Sequence, residues 1–165
     1  MQLPRHLCII ALLSSACTET LSQALARLPR TQPDPPITTE DSATAAALRE
    51  ALASGYVRGP RIIVANGNGK VRSASLPKVD SVTFLLLTPE HIQALADEYG
   101  DLGYTQVLPP IVTDSEVRVS LVAADAFSRP QHPYGVIFGG SVCELRLARR
   151  EGQWRIHRPG VCLVS

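Results

Sequence analysis

Apolar positions along this chain change period several times, and each change marks an element. In "TTEDSATAAALREALASG", Ala45, Leu48, Ala51 and Leu52 recur at helical spacing, with Thr39 or Asp41 placed to cap the start and Gly55 to stop it. "RIIVANGNGKVRSAS" then reads as a strand, a Gly-rich reversal and a weak strand, and "SVTFLLL" as a strand apolar enough to be buried on both faces. "TPEHIQALADEYG" carries the clearest helix: Thr88 caps it, Pro89 takes the first helical position, Ile92, Leu95, Ala96 and Tyr99 form the apolar stripe, and Gly100 ends it. "YTQVLPPIV", "EVRVSLVAA" and both halves of a terminal hairpin, "LRLARREGQWRI", follow as strands by alternation and β-branched content. Pro109 and Pro110 reduce the end of the first of these to an edge or a bend. "DAFSRPQHPYGVIFGGS" is a long loop with room for one short strand at Gly135 to Phe138.

The resulting order, helix, two strands, helix, four strands, predicts an α+β domain with the helices packed on one face of a strongly bent antiparallel sheet. With its closing hairpin, this order resembles the cone-shaped domains of the nuclear transport factor 2-like superfamily over Thr39 to Ser165. Cystatin-like folds, with fewer elements, are the runner-up. The resemblance implies a cone with a pocket, in a superfamily that hosts isomerases, dehydratases and accessory binding domains. It does not choose among those roles.

Ahead of the domain, residues 1–16 have the build of a secretory signal: a start bearing Arg5 and His6, an unbroken apolar run from Leu7 to Leu13, then Ser14, Ser15 and Ala16. The run is far shorter than the roughly 20 residues of a spanning helix. "LSSAC" resembles the lipobox of bacterial lipoproteins, which implies lipidation at Cys17, although Ser14 stands where that motif usually has a branched aliphatic residue. The competing cleavage site is "ALA", Ala24 to Ala26, which would give a soluble secreted chain. Residues 17–38 read as a linker whose prolines, Pro29, Pro33, Pro35 and Pro36, keep it extended, and residues 39–165 as one domain.

Charge excludes one class of partner. Loss of residues 1–16 removes Arg5 from 16 basic residues and none of 15 acidic ones, so no global field draws the domain to nucleic acid. Cysteine usage points outward. Cys8 leaves with the signal and Cys17 is either lipidated or unpaired in a flexible arm, so Cys143 and Cys162 are the pair available to the domain. With Glu151 and Gly152 as the hairpin turn, both fall on the face of Leu145, Leu147, Trp154 and Ile156, as diagonal neighbours. A bulge near Pro159 and Gly160 brings them together as a disulfide.

Candidate chemistry is sparse. His91 and His157 fall on solvent-facing positions. His132, in the long loop, is the candidate general base, with Asp125 or Asp80 as its carboxylate. Asp97 and Asp101 stand one helical turn apart but lack further oxygen ligands for calcium, so they read as solvated, and no metal or cofactor is expected. "NGNGK" lacks the ending of a phosphate loop and reads as a turn. Arg146, Arg155 and His157 share the outward face of the hairpin, a candidate surface for anionic partners such as lipid phosphates or envelope polymers.

Two function classes follow. The first is a non-catalytic, tethered module of the bacterial cell envelope, facing periplasm or cell surface, that binds a protein, a polymer or a small ligand. The second is a small hydrolase or isomerase-type enzyme in the cone pocket. The leader and the thin chemistry favour the first. A concave, mainly apolar cavity shared by His132 and a carboxylate would favour the second.

Overall fold

The computed structural model describes residues 19–29, 38–67, 69–133 and 140–164, without the side chains of 158–160 and 164. The signal segment, Cys17, three of the linker prolines and the short strand expected at Gly135 to Phe138 lie outside the described residues. In chain order the elements are α1 (Leu21–Arg27), α2 (Thr39–Ala53), β1 (Arg61–Ala65), β2 (Thr83–Leu87), α3 (Pro89–Tyr99), β3 (Leu102–Val107), β4 (Ile111–Val112), β5 (Val117–Ala126), β6 (Ser141–Arg150) and β7 (Gln153–Val164). A single 3-10 turn, Ser73–Ser75, stands where a weak strand was expected.

The protein is α+β, and its sheet is strongly curled into a half-barrel. The expectation of an antiparallel sheet is corrected: the sheet is mixed, in the order β2-β1-β3-β5-β6-β7 with β4 on β5, and β1 pairs parallel with both β2 and β3. The cause is α3. It leaves β2 through Thr88 and returns through Gly100 and Asp101 to β3 on the far side of β1, and a helix crossover of this kind sets the two strands it joins parallel, with β1 between them.

The expectation that both helices share one face is also corrected. Along β1, Ile62 and Val64 join a core with Ala43, Ala47, Leu48 and Ala51 of α2, while Ile63 and Ala65 join another with Ile92 and Ala96 of α3. Alternate residues of a strand point to opposite faces, so α2 and α3 cover opposite sides. The first core continues through Val117, Val119 and Leu121 of β5 to Leu145 and Leu147 of β6, and burial of each large aliphatic side chain there contributes roughly 1.5–3 kcal/mol. β2, apolar on both faces as its sequence implies, gives Phe84 to the first core and Leu85 to the second.

Part of the expected linker is folded. Thr20 caps α1 in a reciprocal box with Gln23, and Leu21, Leu25 and Leu28 pack against the α3 core. The helix over Thr39–Ala53 starts one residue earlier than expected, because Thr38 accepts the Asp41 N–H.

The terminal hairpin has the expected turn, with Glu151 and Gly152 both at positive φ (52° and 79°) and Arg150 opposite Gln153. Leu145 and Leu147 are buried, Trp154 and Ile156 pack on the same core, and Arg155 and His157 face solvent. Further along, β7 gains two residues on β6: Leu147 faces Ile156, Arg146 faces Arg158, and Cys143 faces Cys162. Two single-residue bulges restore the original face parity, which is why the second cysteine still meets the first. The pair forms the disulfide, with α-carbons 4.0 Å apart.

Candidate functional site

A cavity of about 390 Å³ opens between α3, the ends of β1, β3 and β5, and the loop after β5. Ala65, Pro89, Ile92, Ala126 and Phe127 supply its apolar wall, and Gln93, Tyr104, Gln106, Asp125, Arg129 and His132 its polar groups. Its size and mixed lining are those of a small-molecule site.

Two aspartates at the end of α3 build the loop that closes one side. Asp97 Oδ1 accepts the Arg129 N–H (2.9 Å), while Oδ2 accepts the guanidinium through Nε (2.8 Å) and Nη2. Gln93 Nε2 donates both to Asp97 Oδ1 (2.9 Å) and to the Phe127 carbonyl (2.8 Å). One turn later, Asp101 Oδ1 accepts the Ser128 N–H (2.8 Å) and Oδ2 meets His132 Nε2 (2.8 Å). The His132 N–H returns to the Ser128 carbonyl, and the rings of Phe127 and His132 meet edge to face, 5.6 Å between centroids.

These contacts set the charge states. The Arg129 side chain, then its backbone N–H, holds the Asp97 carboxyl far below the usual carboxylate range, and Asp97 in turn raises the guanidinium. The Ser128 N–H lowers Asp101 most, burial opposes it in part, and His132 lowers it further.

Of the candidate catalytic residues, His132 and Asp125 line this one cavity, whereas Asp80 is exposed in the segment before β2 and lines no part of it. The carboxylate that touches His132 is Asp101. The reading of Asp97 and Asp101 as solvated is therefore corrected: both are bonded to the 127–132 loop. Their partners lie 27 to 32 residues downstream, and no local spacing in the sequence connects them.

Two polar side chains of the lining, Tyr104 and Gln106, make no side-chain hydrogen bond among the described residues, whereas Asp125 alternates with Ala126 and turns its carboxylate to the opposite face of the sheet. Asp125 leans over its cross-strand partner Gly103, where a Cβ would stand 3.4 Å from Asp125 Oδ1. It also borders a shallower recess with Tyr56, Arg58, Arg61 and Ser141.

The arginine face of the hairpin is less basic than its sequence. Arg146 Nε bonds Glu144 Oε1 at 3.0 Å, and its neighbour across the ladder, Arg118, pairs with Glu116 at 3.7 Å. Among the described residues no cluster of three or more His, Cys, Asp or Glu is disposed around a metal position, and no helix is long and apolar enough to cross a membrane. Comparison with known protein families, with curated proteins and with solved structures found no match to this chain.

Proposed function

We propose that this chain is an exported, lipid-anchored, non-catalytic binding module of the bacterial cell envelope, and that it holds a small, mainly apolar ligand between α3 and the loop after β5. The observation that carries the reading is the cavity: about 390 Å³, apolar-walled, with the polar groups of Tyr104 and Gln106 left without partners among the described residues. Its resemblance to the nuclear transport factor 2-like cones rests on the curled sheet and the closing hairpin. The parallel β2-β1-β3 segment departs from the antiparallel cone expected.

Anchoring at Cys17 is supported by α1. Cleavage at Ala24 to Ala26 would cut through a helix whose Leu21 and Leu25 pack on the α3 core, whereas cleavage before Cys17 leaves it whole. The Cys143 and Cys162 pair accords with an oxidising compartment.

The test is a titration with N-phenyl-1-naphthylamine, a neutral dye that brightens in apolar sites. The expected result is saturable, single-site binding that Ile92→Trp abolishes by filling the cavity. Non-saturable binding, or binding indifferent to Ile92→Trp, overturns the reading. In cells, Cys17→Ser should shift the protein out of the membrane fraction and end fatty-acid labelling.

A second reading, a hydrolase or isomerase-type enzyme, is favoured by one contact. Asp101 holds His132 Nε2, which leaves Nδ1 as the basic nitrogen of a ring that lines the cavity. Turnover of an ester or enolisable ketone that disappears in both His132→Ala and Asp101→Asn would replace the binding reading with this one.

A further inference from the structure

We propose that the ligand of this cavity is an uncharged carboxamide on an apolar body, its carbonyl oxygen held by the Tyr104 hydroxyl and the Gln106 amide of β3. This rests on the reading of the cavity as a ligand site and names the class of molecule it takes.

Alternation along β3 puts both groups on the side of the sheet that α3 covers. Leu102 and Tyr104 belong to the α3 core and Gln106 follows in the same parity, whereas Val107 joins the α2 core. Two residues apart on one strand, the α-carbons of Tyr104 and Gln106 are about 6.5 Å from each other, close enough for both side chains to meet one amide-sized group. Both line the cavity, and neither makes a side-chain hydrogen bond among the described residues.

The charges on this side of the sheet are already matched. Arg129 is neutralised by Asp97, with two nitrogens on one carboxylate oxygen, so an anion would find no uncompensated positive charge there. His132 is bonded to Asp101, and that pair is neutral when the ring is protonated and negative when it is not. A cation fares no better. Asp97 Oδ1 accepts from Gln93 and the Arg129 N–H, its Oδ2 from the guanidinium, and the two oxygens of Asp101 from Ser128 and His132. An ion of either sign would leave water without a free counter-charge to meet it, which is unfavourable.

What remains is uncharged and of both polarities. The Tyr104 O–H and the Gln106 N–H groups donate. The Gln106 and Gln93 carbonyl oxygens accept, because both N–H groups of Gln93 are taken, by Asp97 and by the Phe127 carbonyl. A carboxamide matches this set: its oxygen meets the donors and its N–H groups the acceptors, while Ile92, Ala65, Ala126 and the Phe127 ring carry its apolar body.

Four probes that share one ring system test this by displacement of N-phenyl-1-naphthylamine from the purified chain: 2-naphthamide, the anionic 2-naphthoate, the cationic 2-naphthylmethylammonium and the hydrocarbon 2-ethylnaphthalene. The amide should bind about tenfold tighter than the hydrocarbon, and both ions more weakly than the amide. Tyr104→Phe with Gln106→Leu should bring the amide down to the level of the hydrocarbon, and unchanged binding of the hydrocarbon shows that the variant is folded. Equal or tighter binding of the hydrocarbon or of either ion overturns the proposal, as does an amide preference that survives the double substitution. If the dye binds and the four probes displace it alike, the carboxamide assignment falls while the cavity reading stands. If the dye does not bind and calorimetry detects none of the probes, both fall together.

Discussion

Cys143 and Cys162 face each other directly across β6 and β7, and they do so because β7 has gained two residues on β6 since the turn. Without the two bulges, Cys143 would face Gly160 and the cysteines would be diagonal neighbours. One bulge would have turned Cys162 to the opposite face. The arrangement couples a register irregularity to a covalent bond: the bond holds the edge strand on the sheet just beyond its two bulges.

Replacing both cysteines by serine should therefore act mainly on the end of β7. The closed loop has a sequence separation of 19, for which loop entropy gives about 3 kcal/mol. For a domain of this size that corresponds to a fall in Tm of roughly 10 °C. Thiol titration of the denatured chain should release two additional thiols only after reduction. Two found before reduction would mean an unbonded pair.

Where the chain's local pattern governs structure, the sequence was informative. Thr88, Pro89 and Gly100 bound α3 as their chemistry implies, and alternation in the last hairpin assigns Leu147 inward and Arg155 outward. The parallel direction was legible in part: a strand, a helix and a strand in "SVTFLLL", "TPEHIQALADEYG" and "YTQV" make a crossover that sets β2 and β3 parallel, but nothing local shows that β1 inserts between them. Leu21 to Arg27 was read as linker because seven residues are too few to show a periodicity, and their leucines find a partner only in the tertiary core. His132 and Asp125 were picked out as residue types, but the contact between His132 and Asp101 depends on how a loop returns to a helix 31 residues earlier in the chain.

Acid should loosen that loop first. The Asp97 and Asp101 carboxyls are both lowered in the folded protein, by Arg129 and by the Ser128 N–H respectively. A lowered carboxyl contributes its stability in full above the unfolded value, near pH 4, and loses it as pH falls further toward the folded value. Urea midpoints should thus hold between pH 7 and 5 and drop below pH 4. In Asp97→Asn with Asp101→Asn the midpoint should start lower at pH 7 and fall less in acid. An acid drop as steep as that of the wild type would place the responsible carboxyls elsewhere.

Tyr56 ties two strands where their ladder ends. Its hydroxyl lies 2.6 Å from the Ser141 carbonyl and 3.2 Å from that of Leu121, donating between them, and it accepts from Ser141 Oγ at 3.1 Å. Ala123 and Ser141 are the last residues that β5 and β6 pair. Tyr56→Phe keeps the ring and strips these bonds, so it should destabilise by about 1–2 kcal/mol. Amide exchange should speed up at this end of β5 and β6 and stay slow around Leu145. Uniform acceleration across both strands would argue against a local tie.

Asp41 is the sharpest test of how polar groups are tolerated inside the α2 core. Only 3% of it is exposed, yet it is a carboxylate in the first turn of a helix. Three partners offset its burial: Ser75 Oγ–H donates to Oδ1 at 2.6 Å, Arg72 Nη1 stands 3.6 Å from Oδ2, and the positive end of α2 lies beneath it. The contact with Arg72 is too long for a hydrogen bond, and Oδ2 accepts none from any described residue, so that oxygen is held by charge alone. Asp41→Asn keeps an acceptor for Ser75 and removes the charge, which should destabilise by about 1 kcal/mol. Asp41→Ala also strands the buried Ser75 hydroxyl and opens a small void, for about 2–3 kcal/mol in all. The difference between the two variants measures the Ser75 bond and the void, and chemical denaturation at pH 7 reads it directly. Should Asp41→Asn prove as damaging as Asp41→Ala, the charge and not the Ser75 bond is what fastens the 3-10 turn to α2, and Arg72→Met ought then to reproduce most of the loss by itself.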